Sequence, residues 1–133
     1  MRFTLSTWNI NSVRLRIDLV AKFLKLQRPD VLCLQETKCQ DDAFPAKRFK
    51  RLGYEHIALN GQKGYHGVAI VSKLPFAATD IRTFCDIIDS RHISVSVKTD
   101  ETARQEFLDI LETMGPSDPR TAKYRRLLSS HLY

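Results

Sequence analysis

A chain of 133 residues with 43% hydrophobic and 27% charged residues has room for one domain with a real core, and not for two of ordinary size. No stretch approaches the roughly 20 apolar residues needed to span a bilayer, and the opening "MRFTLSTWN" lacks the regions of a secretory leader, so the expected location is cytoplasmic. The net charge of +6 is uneven: residues 1–98 hold 16 Lys/Arg against 9 Asp/Glu, and residues 99–133 hold 5 against 6. That excess either attracts a polyanion such as nucleic acid or is an ordinary solvated basic surface. Three cysteines without CxxC spacing argue against a zinc site or a disulfide framework, and Cys33 reads as a small core residue in a strand.

In chain order, a first strand is expected near residues 3–9, ending at Asn9. Ser12 then stands where it can cap a helix over 12–27, with Val13, Ile17, Val20 and Leu24 facing inward and Pro29 closing it. "DVLCLQE" is a short, almost continuous apolar run, the signature of a strand covered on both faces. "AFPAKRFKRLG" predicts a short basic helix stopped by Gly53. "YEHIALN" and "GVAIVSK" predict two strands joined by the glycine-punctuated loop "GQKGYH". "LPFAATDIRTFCDIIDS" has no clean period and reads as loop with at most one short element, and "RHISVSV" is a further strand.

Beyond Lys98 the pattern changes. "TDETARQEFLDILETMG" predicts an amphipathic helix, and "SDPRTAKYRRLLSSHLY" a second one with Asp118 as cap and Pro119 in its first turn. The expected division is therefore residues 1–98 as an α/β unit and 99–133 as a helical hairpin. The α/β unit on its own would expose one face of its sheet, to be covered by the hairpin or by a second copy of the chain in a homodimer.

Two polar residues close apolar strands: Asn9 and Glu36. Ligands in layered α/β proteins gather beyond the carboxyl ends of strands. A carboxylate with an amide and water makes a hard oxygen donor set, suited to Mg²⁺ more than to zinc. On spacing alone, a strand-end glutamate in an ion pair is the commoner arrangement.

The stretches "TWNINSVRLR", "RPDVLCLQETK", "GYEHIALNGQKGYHGVAIVSK" and "SRHISVSV" resemble the exonuclease III family of abasic-site endonucleases, within the wider endonuclease/exonuclease/phosphatase group. The resemblance runs over about residues 1–97, with the motifs in the family's order. It implies a four-layer α/β sandwich, of which this chain would supply the N-terminal half, one mixed sheet with flanking helices. It also implies Mg²⁺- or Mn²⁺-dependent hydrolysis of DNA phosphodiesters at abasic sites and 3′ ends. By motif, Glu36 is similar to the family's metal-binding glutamate, and Asn9 to the asparagine that supports the metal and phosphate. Arg14, Lys63, Tyr65, His66 and Arg91 fit the same picture as candidates for contacts to duplex DNA, through phosphates or stacking, although each taken alone is more often an ordinary surface residue.

The family's "GDFN" and closing "SDH" motifs are not found in this sequence, and "SSHLY" is no substitute. The expectation is thus a nuclease half, truncated and weak or inactive alone. The alternative is a non-catalytic relic or DNA-binding module that keeps the basic surface.

Overall fold

The computed structural model describes residues 2–83, 89–98 and 105–111, the last of these by backbone alone. Strand β1 (Leu5–Asn9) runs parallel to β2 (Val31–Gln35), and β2 pairs antiparallel with β4 (Val68–Ser72), which pairs in turn with β3 (His56–Asn60). Among the described residues this gives a four-stranded mixed sheet in the order β1-β2-β4-β3. A second, antiparallel sheet follows in the order β5-β6-β7, from Phe76–Asp80, His92–Lys98 and Gln105–Leu111.

The alternation of side chains explains why β2 is apolar throughout. Leu32 and Leu34 face a helical layer, where Val20 and Leu24 of α1 (Ile17–Gln27) and Phe49 of α2 (Ala46–Arg51) pack on them. Val31 and Cys33 point the other way and meet Ile93, Val95 and Val97 of β6. A strand caught between helices and a second sheet has no wet face, and its period-2 polarity vanishes. Cys33 lies in this core, where burial raises its thiol pKa far above the ordinary range.

Four expectations need correction. The unit holds two sheets rather than one, and β5 forms in the stretch that showed no period. The second face of the first sheet, expected to be open, is covered by β6 of the same chain over β2, β4 and β3, and stays exposed at Leu5, Thr7 and Asn9 of β1. Residues 105–111 form β7 instead of a helix. "QEFLDIL" fits either period over so short a run, and the open edge of β6 decides: Gln105–Leu111 pairs with it from Lys98 to His92. The second helix expected near 117–133 lies outside the described residues.

The fourth correction concerns α1, which begins at Ile17 and not near Ser12. The Ser12 and Val13 amides donate to the carbonyls of Glu36 and Thr37 at 2.9 and 3.1 Å, and Ser12 has φ 82°. Both residues are still tied to the end of β2, and Ser12 is not helical. Ser12 caps only a preceding turn, its Oγ accepting from the Leu15 amide at 3.4 Å. Arg28, in the left-handed conformation, closes α1 just before Pro29 and returns its N–H to the Leu24 carbonyl. Among the described residues no helix is long and apolar enough to cross a membrane.

Candidate active site

Asn9 and Gln35 are register partners at the carboxyl ends of β1 and β2, and Glu36 is the next residue. The two candidate ligands therefore stand on adjacent parallel strands, whose axes lie about 4.8 Å apart. Asn9 is exposed and Glu36 is half-buried.

Beyond the strand ends the backbone keeps pairing. Ile10, Ser12 and Val13 donate to the carbonyls of Gln35, Glu36 and Thr37. On the other side Thr37 donates to Gly67 at 3.1 Å and Lys38 to His66 at 2.8 Å, and Gly67 donates to Ser90 at 2.9 Å. Four loops are thus laced into one rim. Gly67 is required there: its φ is 93°, and a Cβ would stand 2.3 Å from Thr37 Oγ1.

The rim is also where the backbone is strained. Asn11, Ser12, Glu36, Lys38 and His66 all have φ between 47° and 82°. For residues other than glycine this conformation costs about 1–3 kcal/mol each and persists only where the surroundings over-determine it. Glu36 itself, at φ 53°, is held in that state by the pairing on both sides of it.

The remaining sequence candidates divide into two groups. Arg14, on the exposed turn before α1, and Lys63 and Tyr65, at the tip of the β3–β4 loop, reach into solvent. Arg91 and His66 are engaged with each other: Arg91 Nη2 donates to His66 Nε2 at 3.0 Å, and Arg91 Nε to Asp89 Oδ2 at 3.0 Å. Sequence reasoning missed Asn11, Lys38, Thr37 and Asp89. Lys38 Nζ donates to Asn11 Oδ1, bridging the loops after β1 and β2, and Thr37 is buried beneath them. An asparagine two residues past a strand end was the available signal, since Asn tolerates the left-handed region. Nearby Cys39 is buried, and burial raises its thiol pKa, against a smaller lowering by Arg14 and by a hydrogen bond with Thr37.

Among the described residues no three His, Cys, Asp or Glu are placed to share an ion. The sequence candidates Glu36 and Asn9 bring a carboxylate and an amide to neighbouring strand ends. Those donors fit Mg²⁺ or Mn²⁺, hard ions that retain several waters and complete their shell with substrate oxygens.

A mixed sheet backed by helices on one face and by a second sheet on the other places the chain among layered α/β proteins. Residues 6–122 match the endonuclease/exonuclease/phosphatase family, and the chain belongs to it. It is 42% identical over 67 residues to exodeoxyribonuclease III of Haemophilus influenzae, a match covering 50% of this chain and 25% of that protein. It is 34% identical over 73 residues to the DNA repair nuclease APEX1 of Danio rerio, covering 52% and 24%. The fold is similar to that of the 3′ phosphatase NExo from Neisseria bound to product DNA hairpin, with TM-score 0.76, 29% identity, and coverage of 98% of this chain and 50% of that one. An AP endonuclease from Archaeoglobus fulgidus gives TM-score 0.71, 30% identity, and coverage of 99% and 50%. The chain spans about half the length of these solved relatives, and its matches to the curated proteins cover about a quarter of each.

Proposed function

We propose that this chain carries the metal-binding half of a DNA repair phosphodiesterase of the exodeoxyribonuclease III kind, acting at abasic sites and 3′ ends. The observation that carries the reading is the juxtaposition of the ends of β1 and β2, where Asn9 is in register with Gln35 and the next residue, Glu36, is held in a costly backbone conformation. In this reading the Glu36 carboxylate holds a divalent ion, Mg²⁺ or Mn²⁺. When bound, that ion supplies Lewis-acid stabilisation of charge developing on a phosphoryl oxygen. Asn9 donates its amide hydrogens to the same phosphate and fixes its orientation. Arg14 and Lys63 neutralise flanking phosphates, and Tyr65 offers a ring to a base or sugar.

A second reading, a DNA-binding module without chemistry, rests on the basic balance of residues 1–98, 16 Lys/Arg against 9 Asp/Glu; the 133 residues contain neither a "GDFN" nor an "SDH" motif. Losing one electrostatic stabiliser from a hydrolytic site costs about 100-fold or more. The chain by itself is therefore expected to cleave an abasic-site duplex at or near background in Mg²⁺.

The test joins ion binding to DNA binding. Mn²⁺ should broaden the amide resonances around Glu36 and Asn9, and Glu36→Gln should abolish that broadening. Any cleavage should vanish with the same substitution. Duplex affinity should fall steeply with salt and show little sequence preference, because phosphates dominate the contact. DNA binding indifferent to both Mn²⁺ and Glu36→Gln would leave the second reading standing.

A further inference from the structure

We propose that Arg91 is a positioning residue, joined with Asp89 and His66 in a brace that holds the Glu36 turn from the second sheet. The proposal rests on the metal-site reading only for its consequence, since the brace itself is a matter of geometry.

Segment 89–91, leading into β6, grips both ends of the β3–β4 loop. Ser90 Oγ donates to the Gly61 carbonyl at 3.0 Å, and the Ser90 amide to Gln62 Oε1 at 3.2 Å. At the far end of the loop the Ser90 carbonyl accepts from the Gly67 amide, and Arg91 Nη2 donates to the His66 ring. The loop in turn grips the Glu36 turn, because the His66 and Gly67 carbonyls accept from Lys38 and Thr37. The path from Arg91 to the residues flanking Glu36 is therefore short and made of hydrogen bonds throughout.

Chemistry fixes the state of its members. A guanidinium only donates, so in this contact the His66 ring nitrogen is the acceptor. Asp89 balances the Arg91 charge at 3.0 Å, with the two side chains 20% and 26% exposed. A partly buried pair of this kind is worth more than one in open solvent. Swinging Arg91 out to a phosphate would leave Asp89 half-buried without that partner and release His66. Holding a left-handed His66 beside left-handed Glu36 and Lys38 needs outside support, and the brace supplies it.

The experiment is amide hydrogen exchange by NMR on the full 133-residue chain, with a parallel Mg²⁺ titration. Arg91→Ala and His66→Leu should each speed exchange of the Thr37 and Lys38 amides by about tenfold or more, the loss expected for a charge-assisted hydrogen bond. The core amides of Leu32 and Leu34 should keep their wild-type rates. His66→Gln, whose carbonyl can still accept from Arg91, should restore most of the protection, and the Mg²⁺ response near Glu36 should follow the same order. Unchanged Thr37 and Lys38 exchange in Arg91→Ala would overturn the brace. If that variant does not fold, equal exchange in His66→Leu and His66→Gln would overturn it as well. A wild-type chain that ignores Mg²⁺ would defeat the metal reading, while the exchange comparison would still decide the brace.

Discussion

The two ends of the four-stranded sheet are built on opposite terms. At the end where β2 begins, polar groups are matched and one residue, Arg28, is left-handed, at φ 49°. Asp30 Oδ2 accepts from the amide and hydroxyl of Thr4 at 2.8 and 3.2 Å, the Asp30 carbonyl accepts from Lys73, and Tyr54 donates its hydroxyl to the Pro29 carbonyl. Arg28 there is left-handed only as the cap of α1, with Lys73 Nζ above the Tyr54 ring. At the end where β2 finishes, five left-handed residues crowd together around a half-buried carboxylate. The first end closes the fold. The second stores strain in the loops around Glu36.

If that contrast is right, the largest effect should come from the core that both ends share. Val20 of α1 is fully buried against the helical face of the sheet. Val20→Asp would force an unpaired carboxylate into that layer at about 4 kcal/mol or more, a large part of a net stability of about 5–15 kcal/mol. Loss of the cooperative thermal transition is the expected result. A melt close to wild type would mean that α1 does not pack as described.

A smaller effect is expected at the closed end. Tyr54→Phe removes the bond to the Pro29 carbonyl and should cost about 1–3 kcal/mol by denaturant titration, as for any buried acceptor left alone. It should also change the response to alkali. Burial, with Asp30 contributing, raises the Tyr54 pKa from 10.0 to about 12. The folded chain therefore holds this proton more tightly than the unfolded one. Its contribution is complete below about pH 10 and is lost as pH rises through about 12. Wild-type stability should fall across that window more steeply than that of Tyr54→Phe, and equal slopes would show that this hydroxyl is not confined.

How much of this contrast could be read from the sequence differs between the two ends. The strands, the β3–β4 hairpin and the basic helix were legible because each is carried by a local pattern, such as the run "VLCLQ" or Gly53 at a helix end with φ 95°. Of the second sheet only β6 was, in the run "RHISVSV". β5 is half-exposed with a register shift between Phe76 and Ala78, and β7 owes its form to an edge supplied by β6. Asn9 and Glu36 were visible as polar residues closing apolar strands. Their neighbours Lys38, Thr37 and Asp89 act through hydrogen bonds between loops far apart in sequence, and no short-range pattern reports those. The late start of α1 belongs to the same category, because Ser12 is held by Glu36, 24 positions away along the chain.

The smallest effect tests the strained end most directly. Glu36 has φ 53°, a conformation that costs an L-residue about 1–2 kcal/mol and costs glycine almost nothing. At an ordinary position, replacing a half-buried side chain by glycine lowers stability through lost packing and through greater freedom of the unfolded chain. Here relief of the backbone should offset most of that loss. Glu36→Gly is therefore expected to melt within a few degrees of wild type, on either side, while Mn²⁺ no longer broadens the surrounding amides. The partner substitution Glu36→Ala keeps the strain and loses the carboxylate, so it should be the less stable of the two by about 1 kcal/mol. A Glu36→Gly chain clearly less stable than Glu36→Ala would show that the backbone at this rim is not under load. The contrast between the two ends would then lie in side-chain chemistry alone.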